Sequence, residues 1–179
     1  VILKLLDQAI ADGDRIYSVI DASAVNNDGH TMGITTPNME YQQKVIEEAL
    51  KKANINPETI TYMECHGTGT MIGDPIELKA LTKTYREFTD KKLYCAVGTV
   101  KSNFGHLLSA AGVASFIKTS LAIYHKQIPP TINCETPNTR FEFADSPFYP
   151  NTQLKAWEPI NNIYRAGISS FGFGGTNVH

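Results

Sequence analysis

Three short stretches of this chain concentrate side chains that can do chemistry. The first is Cys65-His66-Gly67-Thr68-Gly69-Thr70, where an apolar run gives way to glycines. It combines an imidazole donor with backbone that a ligand can approach closely and with hydroxyls able to bind amides. The second is Lys101-Ser102-Asn103-Phe104-Gly105-His106, just ahead of a helix-like run of small residues. A histidine at a helix N-terminus meets the positive end of the dipole, which disfavours imidazolium and leaves the ring a neutral donor. Such a donor can stabilise a developing oxyanion or enolate. The third is Ser169-Ser170-Phe171-Gly172-Phe173-Gly174-Gly175-Thr176-Asn177, whose glycines flank Phe173. That pattern predicts a loop that swings an aromatic ring, or presents a backbone N–H, at a pocket. It matches neither GxGxxG nor a P-loop, so nucleotide binding explains it poorly.

The elements that must hold these stretches are legible as an alternation of strands and helices. Val1–Leu6 and Arg15–Val25, separated by Asp12-Gly13-Asp14, predict two strands around a short helix or turn. Apolar spacing from Tyr41 to Ala53 predicts an amphipathic helix with Pro37 near its first turn. Ile60–Cys65 predicts a strand. Leu78, Leu81, Tyr85 and Phe88 mark a second helix, with Asp74, Pro75 and Glu77 read as cap, first-turn proline and capping-box glutamate. Cys95–Val100 reads as a buried strand and Leu107–Tyr124 as a helix buried along Val113, Phe116, Ile117, Leu121 and Tyr124. A proline-punctuated stretch then wraps the surface before a last strand, Arg165–Phe171. The class is α/β, a layered mixed sheet flanked by helices, with no internal linker or repeat.

Composition narrows the partners. Lys plus Arg total 16 and Asp plus Glu 18, a net charge of −2 that gives no reason to expect nucleic acid. The three cysteines, Cys65, Cys95 and Cys134, are dispersed and odd in number, which fits a reducing cytoplasm better than a disulfide framework or thiolate zinc site. No apolar run approaches the roughly 18 residues of a membrane span. A first residue Val1 and a last residue His179 suggest a piece of a longer protein. A metal hydrolase built on His66, His106 and Asp74 is disfavoured by the absence of HxxxH or HExxH pairing. His30, His125 and His179 receive no role.

Together the three stretches, with Pro37-Asn38, Gly73-Asp74-Pro75-Ile76-Glu77, Pro129-Pro130-Thr131 and Pro137-Asn138 between them, resemble the C-terminal half of the β-ketoacyl synthase of modular polyketide synthases. The resemblance runs from Val1 to His179. The Gly73–Glu77 motif is similar to polyketide and multidomain fatty acid synthases more than to discrete bacterial enzymes, which tend to carry a glutamate where this chain has Ser115. The resemblance implies a thiolase-like layered fold, the C-terminal half of an αβαβα sandwich, with residues 1–34 ending the N-terminal half and 35–179 forming the C-terminal one. It implies decarboxylative Claisen condensation of a carrier-bound malonyl unit with an acyl chain, in polyketide or related fatty acid biosynthesis. By the same resemblance His66 and His106 stabilise enolate and thioester oxyanions, and Lys101 holds the histidine loop by hydrogen bonds and charge. Thr68 and Thr70 contact phosphopantetheine, Phe173 gates the acyl pocket, and Asn103 and Gly174 line the substrate path. No cofactor is bound directly, since substrates arrive on the phosphopantetheine arm of an acyl carrier protein. The other implied partners are the N-terminal half and a second copy in a homodimer.

One element of that pattern has no counterpart. The family's cysteine nucleophile lies in the other half, and none of Cys65, Cys95 or Cys134 has a neighbouring base or helix N-terminus. The chain alone is therefore expected to be unable to form the acyl-enzyme. A non-catalytic fragment that only binds carrier protein is the alternative.

Overall fold

The computed structural model describes residues 1–179. In chain order the elements are α1 (Leu6–Ala11), β1 (Val25–Asn27), α2 (Met39–Ala53), β2 (Tyr62–Glu64), α3 (Gly73–Arg86), β3 (Cys95–Gly98) and the short α4 (Lys101–Phe104). They continue with α5 (Ala111–His125), β4 (Gln127–Ile128), β5 (Phe148–Pro150), β6 (Lys155–Ala156), β7 (Ala166–Ile168), β8 (Ser170–Phe171) and β9 (Thr176–Val178). Single turns of 3-10 helix, Pro57–Thr59 and Leu108–Ala110, precede β2 and α5.

The centre is a four-stranded sheet, order β5-β3-β2-β7, in which every neighbouring pair is parallel. Strands covered on both faces read as continuous buried runs, and every residue of β2 and β3 is buried. Pro150 is tolerated because β5 lies at an edge of this sheet. A second sheet, β1-β9-β8, is antiparallel, and β4 pairs with β6 apart from both. The α/β class is as the alternation implied, with parallel and antiparallel pairings falling in separate sheets.

Helices α2 and α3 pack on one another and on the central sheet, burying Val45, Ile46, Leu50, Leu81 and Tyr85 against Met63 and Phe148. The side chain of Asn38 caps α2 by accepting from Glu40 N–H, and Asn54 ends it in the left-handed region at φ 51°. Pro37 therefore stands directly before the cap, just ahead of the first turn.

Three expectations about elements are corrected. Val1–Leu5 and Arg15–Ala24 form no strand apart from a bridge-like exchange between Ala24 and His179, because neither stretch has a sheet neighbour to satisfy its backbone. The predicted strand Arg165–Phe171 is two, with Ser169 at the turn between the sheets: its N–H still donates to Glu64 O on β2 before β8 joins β9. Most consequentially, α5 is buried along Ala111, Ser115, Thr119 and Ala122, whereas Val113, Ile117, Leu121 and Tyr124 are 41–45% exposed. Small and hydroxyl side chains let this helix sit close to the sheet, and the larger apolar ones face outward.

Candidate active site

His66 follows the C-terminal end of β2, and His106 comes after β3 and α4. Because β2 and β3 are parallel neighbours in register from Tyr62–Ala96 to Glu64–Gly98, both connections leave the same edge of the sheet. This edge is where ligands bind in open α/β sheets. The two imidazoles meet there with centroids 5.4 Å apart and planes at 80°.

Each ring is oriented by a backbone donor. Phe171 N–H donates to His66 Nδ1 at 3.3 Å, and Leu108 N–H donates to His106 Nδ1 at 3.0 Å. A neutral imidazole accepting at Nδ1 carries its proton on Nε2, so both rings offer an Nε2–H. For His66 neutrality is enforced: burial, then the positive Lys101 and the neighbouring His106, push its pKa down to about 3. The expected cause for His106 is corrected. It stands before a 3-10 turn, five residues ahead of α5, and is exposed, so the Leu108 N–H rather than a long helix dipole fixes its tautomer. Leu108 adopts φ 51°, a strained position for leucine beside a site.

The turn carrying His66 is held by two carboxylates that the sequence pattern assigns to helix capping. Glu77, fully buried on α3, accepts His66 N–H at 2.7 Å and Gly67 N–H at 2.9 Å. Asp74 accepts Gly69 N–H at 3.1 Å, while the α3 N-cap is Ile72, which makes no side-chain cap. The capping reading is therefore corrected: both acids reach back across the first turn of α3 to the histidine loop. Burial pushes Glu77 up to about 7 against the N–H bonds from Gly67 and His66 that favour its charged form. Burial also raises Asp74. Gly67, at φ 46°, cannot be replaced freely, since a Cβ there would stand 2.8 Å from Thr99 Cβ.

Thr68 and Thr70 flank this turn with hydroxyls 3.4 Å apart, Thr70 Oγ1 accepting Gly73 N–H and its carbonyl accepting from Asn138. Phe173 is 71% exposed and stacks over His106 with centroids 6.2 Å apart, and Phe171 lies 5.6 Å from His66. The Phe173 N–H meets no acceptor within the protein. Gly174 is committed elsewhere: its N–H donates to Ile34 O and its carbonyl accepts from Asn27. Asn103 is exposed on α4 and its side chain meets only Ser102.

Lys101 is buried, with an ammonium that makes no hydrogen bond. The hydrogen bonds expected of its ammonium are therefore not formed. Burial lowers its pKa while Glu77 and Glu64 oppose the shift.

Sequence reasoning missed the clamp beneath the Phe173 loop. Asp28, buried, accepts from Asn177 Nδ2 at 2.6 Å and from Asn38 N–H at 3.3 Å, and Asn177 also donates to Asn26. A Cβ on Gly175 would come within 2.9 Å of Asp28 Cβ. The polar run Asn26-Asn27-Asp28 was the available signal, since a buried acid among amides must find partners. The thiols of Cys65 and Cys95 are buried, and burial raises both. An apolar cavity of about 420 Å³ lies between residues 18–23, α2, α5 and β7, and neither His66 nor His106 lines it. No helix is long and apolar enough to cross a membrane.

Residues 17–135 match the family described as β-ketoacyl synthase, C-terminal domain. Over its whole length the chain is 50% identical to polyketide synthase PksL and 46% identical to PksN, both of Bacillus subtilis, covering 4% and 3% of those proteins. It is 45% identical to a phenolphthiocerol/phthiocerol polyketide synthase of Mycobacterium tuberculosis, of which it covers 11%. Among solved structures, the ketosynthase from module 6 of the bacillaene synthase of B. subtilis superposes with a TM-score of 0.95 at 50% identity. Ketosynthase twelve of the bacillaene synthase of Bacillus amyloliquefaciens gives 0.95 at 46%. In each case 98% of this chain is matched, against 32% of the other. The chain thus spans about a third of those ketosynthases and a small part of the curated relatives. It belongs to the β-ketoacyl synthase family, as a C-terminal ketosynthase segment of the modular polyketide synthase kind.

Proposed function

We propose that this chain supplies the two-histidine half of a condensing site that extends a carrier-bound acyl chain by decarboxylative Claisen condensation. The observation that carries this reading is the convergence of two imidazoles, each with Nδ1 occupied by a backbone N–H and Nε2–H free, at 5.4 Å. A malonyl thioester whose carbonyl oxygen sits between them accepts from both. As the bond to the carboxylate carbon breaks, carbon dioxide leaves and the electron pair moves onto that oxygen as an enolate, stabilised by the two donors. The enolate carbon then attacks an acyl thioester, forming the new carbon–carbon bond and expelling the thiolate. Lys101 contributes positive charge beside His66 and helps keep that ring a neutral donor. Thr68 and Thr70 line the approach of the phosphopantetheine arm, and Phe173, over His106, gates the acyl pocket.

The acyl-bearing nucleophile comes from the N-terminal half of the ketosynthase, because the raised thiols of buried Cys65 and Cys95, and of Cys134, raised by burial and by Glu135 and Asp74, are unsuited to attack. On this reading the chain by itself neither loads an acyl group nor condenses. The acyl carrier protein delivers both substrates, and the complete domain pairs as a homodimer.

The test uses the complete ketosynthase domain containing this chain, with carbon dioxide release from a malonyl carrier thioester as the assay. His66→Ala and His106→Ala are each expected to slow release by about 100-fold or more, the scale of losing one oxyanion donor. Undiminished release in either folded variant overturns the assignment, and acyl loading by the isolated chain overturns the reading of its cysteines.

A further inference from the structure

Glu64 is a carboxylate with no exposed surface in the middle of the central sheet, two residues before His66. A charge buried there must be neutralised and fully hydrogen-bonded. Its Oε1 accepts Val100 N–H at 2.6 Å, and its Oε2 accepts from Tyr62 hydroxyl at 2.6 Å and from Lys118 Nζ at 2.7 Å. Lys118 reaches in from α5, 13% exposed, with its ammonium 5.6 Å from the centre of the Tyr62 ring. The other buried cation nearby, Lys101, makes no hydrogen bond to it.

The three protein segments that orient the imidazoles meet at this one residue. Glu64 is itself the end of β2, which leads to His66. Val100, bonded to its carboxylate, opens the loop that ends at His106. The main-chain oxygen of Glu64 accepts Ser169 N–H at 3.0 Å, and two residues on, Phe171 N–H donates to His66 Nδ1.

We infer that Lys118 is a positioning residue for the histidine pair, acting through the buried Glu64 carboxylate that ties β2, the Val100–His106 loop and the Ser169–Phe171 strand together. This rests on the two-histidine reading above. Without the ammonium, Glu64 is stranded as an uncompensated buried charge, and relief by water entry or by a turned carboxylate releases Val100 N–H. Both imidazoles then lose the common reference that sets their separation. Lys118 touches no substrate, so its loss affects turnover far more than binding.

The experiment compares Lys118→Met, Lys118→Arg, Glu64→Gln and the double variant Glu64→Gln/Lys118→Met in the complete ketosynthase domain. It reads kcat and KM for malonyl thioester decarboxylation together with thermal melting. Lys118→Met is expected to lower kcat about 100-fold, the scale on which a 1 Å misplacement acts, with KM within about twofold. Lys118→Arg recovers most of that loss. The double variant is no slower than the worse single, the non-additivity of two residues acting as a unit. Full kcat in folded Lys118→Met, with only the melting temperature lowered, overturns the inference by reducing Lys118 to an anchor for α5. If Lys118→Met does not fold, the double variant, which strands no charge, decides: a lowered kcat supports the inference and a full kcat overturns it. Imidazole nitrogen NMR separates this from the functional reading. If the wild-type domain does not decarboxylate malonyl thioester, that reading fails by itself, whereas an unmoved His66 Nδ1 resonance in the double variant sinks the positioning role.

Discussion

Glu77 offers the sharpest test of how the histidine turn is held. Its carboxyl titrates at about 7 against an ordinary 4.5, chiefly because it is buried. Between those values the native protein holds a proton there that the unfolded chain has released, so the native state binds more protons. Its stability must then fall as pH rises through that window. The displacement of about 2.5 pH units corresponds to about 3 kcal/mol, full below about pH 4.5 and gone above about pH 7. A Gln at this position cannot titrate. It also has one acceptor oxygen for the two N–H groups of His66 and Gly67 and turns its own N–H₂ toward one of them. Urea unfolding across pH 4.5 to 8 can be followed through the single Trp157, which is buried. The stability gap between wild type and Glu77→Gln is expected to shift by about 3 kcal/mol across that range, wild type faring worse toward high pH. A gap constant to within about 0.5 kcal/mol refutes the assignment of a buried, proton-holding carboxyl at this position.

Three further outcomes follow from the geometry. Asp28→Ala removes one of the two acceptors of the buried Asn177 amide and frees Asn38 N–H, so it is expected to cost about 2 kcal/mol and to speed proteolytic cutting at residues 172–175, read by timed digestion. Gly67→Ala combines a left-handed backbone with a 2.8 Å approach to Thr99 Cβ, and is expected to lower stability by about 3 kcal/mol in denaturant unfolding. His66, held neutral to about pH 3, is expected to show the same Nε2–H tautomer by imidazole nitrogen NMR from pH 8 down to pH 5. The unfolded chain takes up a proton on this ring near pH 6.5, so the ring's contribution to stability is lost as pH falls from there toward about 3.

Periodicity revealed α2, α3 and the buried strands β2 and β3, because each has a face or a run whose burial is decided locally. It failed at α5, where the rule that large apolar residues face the core is reversed by the close approach of Ser115 and Thr119. It failed again at Arg15–Ala24, whose β-branched residues predict a strand but find no neighbouring edge within this chain. The chemical residues were legible as motifs, yet their wiring was not. Asp74 and Glu77 stand at the spacing that caps a helix, and only the fold shows the His66 turn lying over the start of α3 to receive them. The link between Asn177 and Asp28 spans nearly the whole chain, and no local pattern pairs them.

The register of β2 with β3 has a consequence for how such a site can diversify. Adjacent strands lie about 4.8 Å apart, so β2 and β3 deliver His66 and the Val100–His106 loop side by side, and the Glu64 carboxylate bonded to Val100 N–H ties the two together across that gap. Beyond the Gly67–Glu77 stretch that holds His66, the chain connecting the two strands can change its outer decoration without reaching the rings. The surface loops are then free to drift while the two histidine-bearing segments stay joined along the least variable dimension a β-sheet possesses.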